Sequence, residues 1–134
     1  MGLYCCECKR HVKTKTVIGA NIYGRNCPLS YRKSRFFQCV ACGNYVGTHA
    51  NGRPLGCIPT KELRYARGKI HALLDPIWQK APKGKRKSAR SVLYAELSRR
   101  LGIRAYHTAN IRTIEEARRV YRVILEIKKE LEND

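Results

Sequence analysis

Cys5-Cys6-Glu7-Cys8 and Cys39-Val40-Ala41-Cys42 are two C-x₂-C pairs separated by thirty residues, and how they are read decides the rest of the chain. A two-residue spacer lets one tight turn present two thiolates about 3.5 to 4 Å apart, and two such turns complete the tetrahedral shell of Zn²⁺. The expectation is one structural Zn²⁺ held by Cys5, Cys8, Cys39 and Cys42. A four-thiolate shell is closed and leaves no position for an activated water. Gly43 directly follows the second pair, where the chain must turn with a positive backbone angle. Cys6, in a Cys6-x-Cys8 pairing, and His11 after the first pair stay open as alternative ligands. The remaining cysteines, Cys27 and Cys57 with Cys6, are read as small buried apolar residues.

Metal is favoured over disulfides because the seven cysteines are odd in number and no charged start followed by an apolar stretch opens the chain. No apolar run reaches the roughly 18 residues that a membrane-spanning helix requires. The chain is therefore expected to be cytoplasmic, with no membrane partner.

The 134 residues, 43% of them hydrophobic and 28% charged, suit one compact α+β fold. Residues 1–58, rich in Gly, Asn, Tyr and Cys, read as a zinc-ribbon-like module of short strands. Strands are expected at 14–22 and 35–38, with a hairpin around Tyr23-Gly24-Arg25-Asn26. Residues 59–134 read as about three helices on which that module packs. The first is expected to open at Thr60 and stop near Asp75-Pro76, burying Leu63, Ala66, Ile70, Leu73, Leu74 and Ile77; its other face carries Lys61, Arg64, Arg67 and Lys69. A second is expected over 88–101, ending on a Gly102 cap with Ile103 beyond it. A third starts at Thr113, with Glu116 completing the cap, and buries Ile114, Ala117, Val120, Tyr121, Ile124, Ile127 and Leu131. Residues 80–90 hold six positive charges with Pro82 and Gly84, and read as a basic loop.

Charge is the second organising fact. Lys and Arg number 28 against 10 Asp and Glu, a net +18; residues 1–114 carry 23 basic and 4 acidic side chains, residues 115–134 carry 5 and 6. A field of this sign attracts polyanions, of which nucleic acid is the commonest. The expected phosphate contacts are Arg25, Arg32, Lys33, Arg35, Arg53, Arg64 and Arg67, with Lys83, Lys85, Arg86 and Lys87 of the basic loop. DNA is preferred to RNA as the partner. Tyr23, Tyr31, Phe36 and Phe37 lie among these cations, the mixture that a stacking and phosphate-binding surface uses.

From Ile22 onward a longer pattern emerges: Ile22-Tyr23-Gly24-Arg25, Cys39-x-x-Cys42-x-x-Tyr45-Val46-Gly47-x-His49, Pro54-Leu55-Gly56, Glu62-Leu63-Arg64, Asp75-Pro76-Ile77-Trp78, Leu101-Gly102-Ile103 and Tyr106-His107. It resembles the zinc-finger-containing domain family of bacteriophage and prophage proteins. The resemblance implies a zinc knuckle module followed by helices, with Cys5 and Cys8 at the family's first pair, and a viral setting. Tyr106 stands where the resemblance leads one to expect a cysteine in many members of the family.

The reading that fits these features is a small basic zinc protein that binds nucleic acid without catalysis. A first alternative is a phage regulator that docks on a host protein such as a polymerase or defence enzyme. A second is a nuclease, because His49, Asn51 and Arg53 follow the second knuckle, with His49 as base and His71 as metal ligand. Against it, Glu62, Asp75 and Glu96 are the only carboxylates in the middle of the chain. His107 and Trp78 complete the singled-out residues; Trp78 reads as a core plug in preference to a stacking ring.

Overall fold

Alternation along Arg35–Cys39 (β4) builds the first half of the molecule. Successive strand side chains point to opposite faces, so Phe37 and Cys39 join Cys5, Val12, Val46 and Ile58 in a small core, while Phe36 meets Tyr23 and Tyr45 edge to face. The computed structural model describes residues 2–133 and divides into two units, Met1–Glu62 and Leu63–Asp134. In the first unit Leu3–Cys5 (β1) pairs antiparallel with Arg10–Val12 (β2). Thr14–Ile18 (β3), β4 and Tyr45–Gly47 (β5) form a three-stranded antiparallel sheet in the order β3-β4-β5.

The strand expected over 14–22 ends at Ile18. Gly19 to Tyr23 is instead a short helix (α1), and the side chain of Asn21 reaches back to accept from the Ile18 backbone N–H at 3.0 Å, a local bond that competes with the sheet ladder. Gly19 sits so close to the chain that a Cβ there would lie 1.8 Å from the Tyr31 carbonyl oxygen. Single 3₁₀ turns at Gly24–Asn26 and Leu29–Tyr31 follow, so β3 and β4 are joined by a folded excursion in place of a tight hairpin at 23–26.

Lys61–Gln79 (α2) enters the second unit at Leu63, and Arg86–Leu101 (α3) and Ile114–Glu132 (α4) complete it. Its buried residues include Leu63, Ile70 and Leu74 of α2, Leu93, Leu97 and Leu101 of α3, and Ala117, Val120, Ile124 and Ile127 of α4. The expected stop of α2 at Asp75-Pro76 is not observed, for the helix runs through Pro76 to Gln79. A proline within one turn of a helix end removes a single backbone bond, and Trp78 adds a local one by donating from Nε1 to Asp75 Oδ1 at 3.1 Å. The expected basic loop at 80–90 is largely helical: Lys83–Lys85 is a 3₁₀ turn after Pro82, and α3 begins at Arg86. Lys, Arg and Ala are good helix formers, and only Pro82 and Gly84 interrupt them.

α3 ends as its sequence requires. Gly102 adopts φ 70°, its N–H reaches Arg99 O at 3.2 Å, and Ile103 N–H reaches Ser98 O at 3.1 Å, the paired bonds of a Schellman cap. Thr113 caps α4 by accepting from Glu116 N–H at 3.1 Å; the Glu116 carboxylate accepts from the Thr113 hydroxyl. Of the expected α4 core, Tyr121 is exposed, and Leu131, in the terminal turn, is 54% exposed.

Candidate metal centre and basic surfaces

Each C-x₂-C pair sits at the tip of a hairpin, the first between β1 and β2 and the second between β4 and β5. The two turns close alike: Lys9 N–H donates to Cys5 O at 2.8 Å, and Gly43 N–H to Cys39 O at 2.9 Å. Both residues that complete the turns have positive φ, 57° at Lys9 and 84° at Gly43. Lys9 was not visible from sequence, because only glycine signals that backbone region reliably. Behind the first turn the chain returns at Ile58, which bridges Cys5 in parallel. Cys6 N–H donates to Ile58 O and Ile58 N–H to Tyr4 O, both at 2.8 Å.

This framework brings together Cys5, Cys8, Cys39 and Cys42, whose sulfurs all lie within 4.8 Å of one another. Contacts cross between the turns, Cys5 Sγ to Cys42 Sγ at 3.5 Å and Cys8 Sγ to Cys39 Sγ at 3.8 Å. Zn–S bonds of about 2.3 Å in a tetrahedron place the sulfurs about 3.8 Å apart, so the spacing fits a zinc ion. Cys6 and His11 stand outside this cluster, and the open alternatives for the ligand set are not realised.

Electrostatics point the same way. Burial, then contact with the Cys39, Cys5 and Cys42 sulfurs, pushes the Cys8 thiol up to about 12. Burial likewise raises Cys42, against the Asn44 backbone N–H that donates to its sulfur at 3.5 Å. At Cys39 burial is the largest single influence and opposes charge, yet the backbone N–H groups of Cys42 and Ala41 and the Cys42 and Cys8 side chains together outweigh it and bring the thiol down to about 7. Four sulfurs at this separation resist becoming four thiolates unless a cation lies among them. A bound zinc would supply that charge and cross-link the two hairpins.

The cations expected at phosphates divide into three environments. Arg25, Arg32, Lys33, Arg35 and Arg53 of the first unit, and Lys83, Lys85, Arg86 and Lys87 of the second, are exposed. Arg64 is half-buried. Arg67 is corrected: it is 8% exposed, and its guanidinium donates to the Ile111 carbonyl oxygen. The 4-3-4 spacing of positions 63, 67, 70 and 74 places Arg67 on the buried stripe, a signal that its charge obscured.

His49 lies in a tight loop where its N–H donates to Arg53 O at 2.7 Å and Asn51 Oδ1 accepts from Arg53 N–H at 3.0 Å. The shallow cleft there is lined by Ser34, Arg35, Thr48, His49, Asn51 and Gly52 among others, with no carboxylate. In the second unit His71 Nδ1 lies 3.5 Å from Asp75 Oδ2, and His107 is exposed. Tyr106 is 3% exposed, its hydroxyl 2.8 Å from Thr108 Oγ1, and burial raises it to about 12. A basic cleft that sequence reasoning did not assemble is lined by Arg90, Ser91, Tyr94, Arg99, Arg104 and His107 among others. The Arg90 guanidinium stacks 4.3 Å from the Tyr94 ring centre.

Two hairpins whose tips converge four cysteine sulfurs define a zinc-ribbon-like, tetrathiolate class of protein. The model of the zinc-finger-containing domain matches residues 3–130, and the chain belongs to that family. No curated protein and no solved structure matches it. Among the described residues no helix is long and apolar enough to cross a membrane.

Proposed function

We propose that the protein binds one structural Zn²⁺ through Cys5, Cys8, Cys39 and Cys42 and uses its basic surface to bind nucleic acid, DNA in preference to RNA, without catalysis. The observation that carries this reading is the exposure of Arg25, Arg32, Lys33, Arg35 and Arg53 on a unit with ten basic and only two acidic side chains, Glu7 and Glu62. Among the described residues none of these five cations is ion-paired to a carboxylate. An unneutralised cluster of this kind favours a polyanion through counterion release. The exposed run Lys83, Lys85, Arg86 and Lys87 and the Arg90–Tyr94 stack add cations and a ring in the second unit. Resemblance to bacteriophage and prophage proteins supports a phage setting, with action in the host cytoplasm.

The test is affinity for duplex DNA, single-stranded DNA and RNA across a salt series. Log affinity for the duplex falls linearly with log salt, with a slope near −0.9 per phosphate neutralised. Replacing Arg32, Lys33 and Arg35 together by Ala flattens that slope. A salt-independent affinity, or capture of one stoichiometric protein partner that survives nuclease treatment with no nucleic-acid binding, contradicts the reading. Mg²⁺-dependent cleavage abolished by His49→Ala contradicts its noncatalytic part.

A further inference from the structure

Cys6 and Cys57 are the two thiols of the first unit that the metal centre does not use and that the fold nevertheless brings into contact. Their sulfurs are 3.7 Å apart although 51 positions separate them in the chain. Both are buried, at 7% and 9% exposure. The backbone on either side is pinned, for Cys6 N–H donates to Ile58 O and Ile58 N–H to Tyr4 O. Cys6 and Cys57 therefore cannot drift apart without breaking bonds that also hold the first metal-binding turn. A disulfide needs an S–S distance of about 2.05 Å, so side-chain rotation has to close the gap by only about 1.7 Å. Small buried thiols are ordinarily inert core residues, but two of them in sulfur contact across a long chain separation form a dithiol.

We propose that Cys6 and Cys57 are an oxidisable pair, distinct from the metal ligands, that closes to a disulfide on reaction with a hydroperoxide. In the balanced step one sulfur attacks a peroxide oxygen, the O–O bond breaks, and a sulfenic acid and water form when the oxidant is hydrogen peroxide. The second sulfur displaces the sulfenic oxygen, forming the S–S bond and a second water. The two thiols lose two electrons and two protons, and the peroxide takes up both. The product ties the first metal-binding turn covalently to the segment that closes the unit at Ile58. It encloses the three-stranded sheet in a covalent loop, which restricts the unfolded chain. The metal centre is then held by a framework that survives loss of the ion.

The experiment treats the full-length, metal-loaded protein with hydrogen peroxide, then measures intact mass, zinc content and peptide cross-links. The expected product is lighter by two hydrogen atoms, retains its zinc, carries a single link between Cys6 and Cys57, and reverts with dithiothreitol. It also releases zinc to a chelator several-fold more slowly than the reduced protein. Cys57→Ser and, as an independent variant, Cys57→Ala bind zinc at the same stoichiometry but do not form the link. Oxidation confined to Cys5, Cys8, Cys39 or Cys42 with loss of zinc overturns the proposal, as does a link that leaves the rate of zinc release unchanged.

Discussion

Lys9 and Gly43 occupy the same position in two C-x₂-C turns closed by the same hydrogen bond, and both take positive φ. Glycine does so without steric cost, whereas a residue with a Cβ is strained there by roughly 1–2 kcal/mol. Lys9→Gly is therefore expected to leave stability unchanged or raise it by about 0.5 kcal/mol, the strain relief being partly offset by the entropy of the unfolded chain. Gly43→Ala should lower stability by about 1–2 kcal/mol. Denaturant unfolding of the metal-loaded variants measures both, and equal effects of opposite sign to these would contradict the geometry of the turns. The four cysteines that converge were legible at this scale because their spacing singles them out. Lys9 was not, since its backbone angle is imposed by the Lys9 to Cys5 bond and the converging hairpins. Nor was the contact of Cys6 with Cys57, which depends on the return of the chain at Ile58.

At the scale of elements, helix ends and amphipathic stripes were readable where one residue carries the signal. Gly102 ends α3 and Thr113 begins α4, as local chemistry requires. Reading failed where a breaker was outvoted, at Pro76 inside α2, and where a charge hid a buried position, at Arg67. The guanidinium of Arg67 joins α2 to the chain ahead of α4 through Ile111 O. Arg67→Ala should lower stability by about 2–4 kcal/mol, through a buried acceptor left without that donor and the lost packing of the long stem. A variant with native stability and weakened DNA affinity would instead restore Arg67 to the phosphate surface.

A second link between elements is ionic: Arg100 on α3 bonds Glu96 at 2.7 Å and also Glu130 on α4. The Glu96 carboxyl is lowered to about 2 by Arg99 first and Arg100 next. Because the folded value lies below the ordinary 4.5, the pair adds stability above that value. The contribution fades as pH falls from about 4.5 through about 2. Glu96→Gln should remove this part of the acid dependence, as followed by thermal unfolding between pH 2 and 6. An unchanged acid profile would show that the pairs contribute nothing measurable, as many exposed pairs do.

Across the whole molecule, the α+β division into a strand-bearing first unit and a helical second unit was legible from cysteine spacing and helical periodicity. The course of the chain from Gly19 to Ser34 was not, because short 3₁₀ turns have no periodic signature. Among the described residues, the buried hydrophobic residues of the first unit are seven, Cys5, Cys6, Val12, Cys39, Val46, Cys57 and Ile58, and two of them belong to the four-sulfur cluster. A core this small does not hold a unit of about 60 residues without a staple, so the ion is expected to be part of its folding energy. Native mass spectrometry of the full chain, paired with amide hydrogen exchange before and after chelation, tests this most directly. The expected result is one zinc per chain, and loss of amide protection across β1 to β5 when it is removed. A metal-free chain with those strands fully protected would contradict the account.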